Sequence, residues 1–121
     1  MVKTIMIVDD AVSIRGLASM TLENSGYRVI EAHDGKDALE KLSGEKVNMI
    51  ITDLNMPNMD GIEFIKAVRV NETYKMIPIL FLTTESQNEK KMEAKEAGAT
   101  GWIIKPFLPA KLIAAIQKVM I

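Results

Sequence analysis

Four short apolar runs punctuate the chain: Ile5-Met6-Ile7-Val8, Met49-Ile50-Ile51, Ile79-Leu80-Phe81-Leu82 and Trp102-Ile103-Ile104. Each is rich in β-branched or aromatic side chains and too short for a helix. Their apolarity is continuous rather than alternating, which predicts strands covered on both faces, as in a parallel sheet. A fifth segment, Arg28-Val29-Ile30-Glu31-Ala32, mixes in polar residues and predicts an edge strand. Between the runs the period changes to that of a helix. Ile14, Leu17, Ala18 and Leu22 form one apolar stripe, with Gly26 as its stop. Asp34 is placed to cap a second helix carrying Ala38, Leu39 and Leu42, with Asp37 as reciprocal partner in a loose capping box. Asp60 is placed to cap a third, with Ile62, Ile65 and Val68 turned inward. A fourth, Asn88 to Ala97, is so charged that only Met92, Ala94 and Ala97 remain for burial. Pro109 opens the last, which carries Leu112, Ala115, Ile116 and Val119. The pattern is (βα)5: a doubly wound α/β fold with a five-stranded parallel sheet and helices on both faces.

Composition narrows the function. The 121 residues fit one domain, read as spanning 1–121 with no linker and no effector domain attached. Fifteen basic against sixteen acidic side chains leave a net charge of -1, without the basic excess that a nucleic-acid groove needs. Cys is absent and His33 is the single histidine, so thiolate catalysis, disulfides and His- or Cys-based metal sites are excluded. No run is long enough for a membrane span or signal peptide, and the expectation is a cytoplasmic protein with no membrane partner.

Open parallel sheets carry their sites at the carboxyl ends of the strands. There the sequence places Asp9 and Asp10, then Asp53, then Thr83, Thr84 and Glu85, then Lys105 and Pro106. Two carboxylates about 5 Å apart repel by roughly 3 kcal/mol at an effective dielectric near 20. Three converging on one Lys call for a divalent cation, and oxygen-only ligands select Mg²⁺, Mn²⁺ or Ca²⁺. Few protein ligands with room for water favour Mg²⁺. A hydroxyl and an ammonium beside such an ion suit phosphoryl oxygens.

Val8-Asp9-Asp10, Thr52-Asp53-Leu54-Asn55-Met56-Pro57 with Asp60-Gly61, Leu82-Thr83-Thr84 and Ile104-Lys105-Pro106-Phe107 resemble the receiver domain of two-component response regulators. The likeness runs over about residues 4–119 and its motifs are distributed in order. It implies the flavodoxin-like strand order 2-1-3-4-5. It also implies that Asp53 is the phosphoacceptor, taking a phosphoryl group from a phosphohistidine of a sensor kinase. Asp10 and Asp53 would bind Mg²⁺ through their side chains, Asp9 through a metal-bound water, and Asn55 through its backbone carbonyl. Thr83 and Lys105 would each hold a phosphoryl oxygen, and Lys105-Pro106 would be a cis peptide. Such a protein is a signalling phosphoacceptor rather than an enzyme, though it assists its own phosphorylation and autodephosphorylation.

Asn55, Glu85 and the segment Thr83-Thr84-Glu85-Ser86 are similar to stand-alone chemotaxis-type regulators. That resemblance implies a monomer working through the face of helix 4, strand 5 and helix 5. Its partners would be a chemotaxis histidine kinase and the flagellar motor switch protein. A single-domain phosphorelay carrier or a phosphate sink would carry nearly the same residues. The sequence departs from the family at Trp102, where a smaller ring is usual and swings with Thr83 as a switch, and mildly at Thr84. A Mg²⁺-dependent phosphohydrolase would need an acid where Asn55 stands. A flavodoxin-like carrier would need a Gly- and hydroxyl-rich loop where Asp9-Asp10-Ala11 stands. His33 reads as a solvated loop residue.

Overall fold

The computed structural model describes residues 2–84 and 86–120. Five strands and five helices alternate: β1 (Thr4–Val8), α1 (Val12–Asn24), β2 (Arg28–Ala32), α2 (Gly35–Leu42), β3 (Met49–Asp53), α3 (Gly61–Arg69), β4 (Ile79–Thr83), α4 (Asn88–Ala97), β5 (Gly101–Ile104) and α5 (Pro109–Val119). All pairings are parallel, in the order β2-β1-β3-β4-β5. Every residue of β1, β3 and β4 is buried, as their unbroken apolarity requires, whereas the mixed β2 lies at one edge with its polar residues exposed.

Alternate residues of each strand serve opposite faces. Met6, Val8, Ile50 and Phe81 pack with Ala38, Leu42, Phe64, Ile65 and Ala94 on the α2, α3 and α4 side. Ile5, Ile7, Met49, Ile51, Leu80 and Leu82 pack with Ala18, Leu22, Leu112 and Ile116 on the α1 and α5 side. Each face thus holds its own core, and the polar site is left to the strand ends.

Helix boundaries follow local chemistry. Asp60 accepts from the Glu63 N–H at 2.9 Å while Glu63 accepts from the Asp60 N–H at 3.3 Å, a full capping box. Pro109 occupies the first turn of α5, and Gly26 and Gly98 take the positive φ angles that end α1 and α4. Four expectations need correction, the first being that Trp102-Ile103-Ile104 is covered on both faces: β5 lies at the second edge of the sheet with Trp102 exposed. Asp37 reaches past its cap residue, accepting from the His33 N–H rather than from Asp34. The buried face of α1 centres on Ala18, Ser19 and Leu22, leaving Leu17 43% exposed beside α5. Met92 is 67% exposed, because a residue two positions before the buried Ala94 projects from the far side of its helix. Phe64, fully buried in the α3 core, belongs with the inward-facing residues of that helix.

Candidate functional site

Two strand ends bring the acids together and a third brings a lysine. Asp9 follows β1 and is held there by its N–H donating to Ala32 O at 3.1 Å, while Arg15 Nη1 donates to its carbonyl at 2.7 Å. Asp53 closes β3, in register with Leu82 of β4. Carboxylate oxygens of Asp9, Asp10 and Asp53 lie within 4.8 Å of one another. Lys105 follows β5, where its N–H donates to Thr83 O at 2.7 Å and its peptide bond to Pro106 is cis. Its Nζ lies 3.1 Å from Asp53 Oδ2 and 3.8 Å from Asp9 Oδ2.

The charges do not balance. Three pairwise repulsions of at least about 3.5 kcal/mol each meet two attractions of about 5.4 and about 4.4 kcal/mol at an effective dielectric near 20. These nearly cancel, leaving the desolvation of Asp9 uncompensated. Asp9 is 0% exposed. Its Oδ1 accepts from the Ala11 N–H at 2.9 Å, but its Oδ2 has no hydrogen-bond donor. Burial pushes the Asp9 carboxyl above its ordinary value, with Asp53 and Asp10 adding to the rise and the Ala11 N–H and Lys105 opposing it. A buried carboxylate oxygen without a donor, facing two further carboxylates of which Asp10 is exposed, fits a small hard cation that keeps part of its water. Asn55, expected to offer its carbonyl, lies two residues beyond Asp53 and is exposed.

The loop after Asp53 is braced at several points. Asp53 Oδ1 accepts from the Leu54 N–H at 2.8 Å, and the buried Thr52 hydroxyl donates to Asp53 O at 2.8 Å. The Gly61 N–H donates to Leu54 O at 2.9 Å. Asn58, at φ 68°, donates to Asp34 Oδ2 at 2.8 Å, and the Gly35 N–H reaches Met59 O at 3.3 Å. Asp34 caps α2 through the Asp37 N–H at 2.8 Å, so one buried carboxylate ties α2 to the loop that shapes the site. The Asp37 N–H, followed by Asn58, holds the Asp34 carboxyl below its ordinary value. His33 is exposed as expected, but it stands between Asp34 and Asp37, 3.3 and 3.5 Å from their carboxylates.

Thr83 is fully buried, and its hydroxyl lies 2.9 Å from Gln87 Oε1. Gln87, Asp34 and Asn58 were not marked by the sequence as parts of the site. Asp34 was legible as a cap, but no spacing signal links Gln87 to Thr83 or Asn58 to Asp34. Glu85, which the sequence places at the same rim, lies outside the described residues. Trp102 is 42% exposed, its ring 6.1 Å from that of Phe81, with Lys91 and Lys95 of α4 at 5.6 and 5.3 Å from its centroid. Both ammonium groups lie within cation–π range. The indole thus stands outward, joining β5 to α4.

Over residues 5–117 the sequence matches the response regulator receiver domain family. It is 38% identical over 116 residues to the chemotaxis protein CheY-3 of Vibrio cholerae, covering 95% of this chain and 89% of that protein. It is 40% identical over 118 residues to the alkaline phosphatase synthesis transcriptional regulatory protein PhoP of Bacillus subtilis, covering 98% of this chain and 48% of that protein. The chain thus spans about half the length of that relative. Among solved structures, the chemotaxis response regulator CheY4 of Vibrio cholerae matches at a TM-score of 0.93 and 49% identity, covering 98% of this chain and 99% of that one. Receiver domains are phosphoacceptors of two-component signalling rather than enzymes, they take phosphoryl groups from histidine kinases, and their acidic pockets bind Mg²⁺. A family match over residues 5–117, with a CheY4 structure superposing at a TM-score of 0.93 over nearly the whole chain, makes this chain a CheY-like member of the response regulator receiver domain family.

Proposed function

We propose that this chain is a phosphorylation-activated switch in which Asp53 accepts the phosphoryl group of a phosphohistidine on a histidine kinase. The observation that carries this reading is the set of three converging carboxylates with Lys105 against Asp53 and a buried oxygen on Asp9 that has no hydrogen-bond donor. Asp9, Asp10 and Asp53 would hold Mg²⁺, with the Asn55 carbonyl as a further ligand. When bound, the cation neutralises charge on the phosphoryl oxygens and on the attacking carboxylate. Asp53 supplies a carboxylate oxygen, a P–O bond forms as the P–N bond to the imidazole breaks, and the donor histidine keeps the electron pair. The Leu54 N–H fixes the other Asp53 oxygen, so the nucleophile is oriented before the donor arrives. Lys105, anchored through its own N–H to Thr83, presents its ammonium to the transferred group. The Thr83 hydroxyl donates to another phosphoryl oxygen.

The product adds up to about two negative charges to the rim and biases the surface formed by α4, β5 and α5. Trp102 reports on that surface and moves with it. A chemotaxis role, with a chemotaxis kinase upstream and a flagellar motor switch protein downstream, is supported by the 49% identity to CheY4. Asn55, an amide where a phosphohydrolase would carry its general acid, speaks against hydrolysis as the main activity.

Acetyl phosphate with Mg²⁺ tests the proposal directly. One phosphoryl group should appear by mass spectrometry, and Asp53→Asn should abolish it. Addition of that mass to the Asp53→Asn protein in acid-stable form would reject Asp53 as the acceptor.

A further inference from the structure

The Thr83 hydroxyl has one proton and two acceptors: Gln87 Oε1 at 2.9 Å and Thr84 O at 3.2 Å. The shorter contact takes the proton. The same Oε1 accepts from the Thr84 N–H at 2.9 Å, which also fixes the orientation of the amide, since an NH₂ there would meet a donor. Both lone pairs of Gln87 Oε1 are therefore filled, one by the hydroxyl and one by the backbone just beyond it. Gln87 directly precedes α4 but gives that helix no side-chain cap, because its side chain turns back towards β4.

We propose that Gln87 is a positioning residue for the phosphoryl site: a latch that holds the Thr83 proton until an anion on Asp53 competes for it. The inference rests on the reading of Asp53 as acceptor and Thr83 as its hydroxyl partner. A phosphoryl oxygen is a charged acceptor, and hydrogen bonds to charged groups are roughly twice as strong as neutral ones. The hydroxyl therefore leaves Gln87 when the anion is present and returns when it goes. Gln87 then keeps the Thr84 N–H and loses the hydroxyl, which alters the residue from which α4 begins. That helix is poorly anchored, with Ala94 its one buried residue among those described, and it carries Lys91 and Lys95 over Trp102. The latch thereby links occupancy of the phosphoryl site to the start of a helix on the proposed output face. Linkage is reciprocal, so weakening the latch tightens anion binding.

Beryllofluoride, a stable phosphoryl mimic, provides the test when titrated calorimetrically into the protein with Mg²⁺. Gln87→Met keeps the length and removes the acceptor; it should tighten binding about 3–10-fold, the worth of one neutral hydrogen bond. Gln87→Glu strengthens the acceptor and should weaken binding by a similar factor. In a Thr83→Val background Gln87→Met should leave the affinity unchanged, because the hydroxyl it acts through is gone, and Gln87→Glu should keep only the part of its loss that comes from charge repulsion. Unchanged or weaker binding in a folded Gln87→Met protein, or equal effects with and without the hydroxyl, would overturn the latch. Should Gln87→Met fail to fold, Gln87→Glu decides alone: its loss of affinity should be larger with the Thr83 hydroxyl than without it, and an equal loss in both backgrounds would overturn the latch. Phosphoryl uptake from acetyl phosphate by the unaltered protein separates the two ideas: its absence defeats the acceptor reading, whereas uptake without the ordered affinities defeats only the latch.

Discussion

Adding one methyl group at Gly61 should damage fold and site together. A Cβ on Gly61 would lie 2.2 Å from Asp53 O and 2.7 Å from Leu54 Cα, whereas ordinary contacts begin at 3.4 Å. Both obstructing atoms are backbone, so no side chain can swing away. The first turn of α3 or the end of β3 must retreat by about 1 Å, weakening the bond from the Gly61 N–H to Leu54 O. Overpacking of this kind costs about 1–3 kcal/mol, and the lost hydrogen bond adds to it. For a domain of this size that is a fall of roughly 5–15 °C in Tm. The displaced atom belongs to Asp53 itself, and a 1 Å misplacement at a reacting group can cost about a hundredfold in rate. Gly16→Ala is the matched control. Its added Cβ meets nothing within 4 Å, and it lies inside α1, so it should stabilise by about 0.5–1 kcal/mol. Urea denaturation of both variants, with phosphoryl uptake from acetyl phosphate as the functional assay, gives four numbers. If Gly61→Ala kept the unaltered stability and rate, the close approach of α3 to Asp53 would be refuted.

Other perturbations test other parts. Mg²⁺ at ten times its Kd should stabilise the protein by about 1.4 kcal/mol, seen as a rise in Tm, and Asp10→Asn should shrink that rise. The Mg²⁺ gain should also fade with acid, because burial raises the Asp9 pKa and protons displace the cation at a higher pH than they would from an ordinary carboxylate. Without the cation the sign reverses: ionised Asp9 opposes folding, so its cost is absent below the ordinary value of 3.8 and grows as pH rises through the raised one. Asp34→Ala removes the α2 cap and leaves Asn58 unpaired, a loss of roughly 2 kcal/mol in urea denaturation. The Asp34 pKa is lowered, so its stabilisation is whole above the ordinary value of 3.8 and drains as pH falls through the folded one; Asp34→Asn should flatten that acid limb. Trp102 emission should change on phosphorylation, and an unchanged spectrum in fully modified protein would reject movement of the indole.

The strands were legible because burial on both faces demands unbroken apolar runs, and β1, β3 and β4 have them. The rim followed, since parallel strands bring their carboxyl ends to one side and the residues just there were three acids, a hydroxyl and a lysine. What the sequence withheld depends on rotation and reach. Leu17 and Met92 satisfy a loose helical period, yet the faces of α1 and α4 that meet the sheet are turned away from them. Asn58 reaches Asp34 across 24 positions through a left-handed turn, a pairing that no local spacing encodes. Gln87 resembles any polar residue before a helix, and its role emerges only when its side chain is seen to turn back to Thr83.

On the proposed function, Asp53 becomes an acyl phosphate with the help of a cation held by its acidic neighbours. Borohydride converts an acyl phosphate of aspartate into homoserine, which peptide mass spectrometry locates. After acetyl phosphate and Mg²⁺, homoserine should appear at position 53 and should be lost when the cation is chelated. Homoserine at another aspartate, or the same yield at position 53 without a divalent cation, would contradict the account.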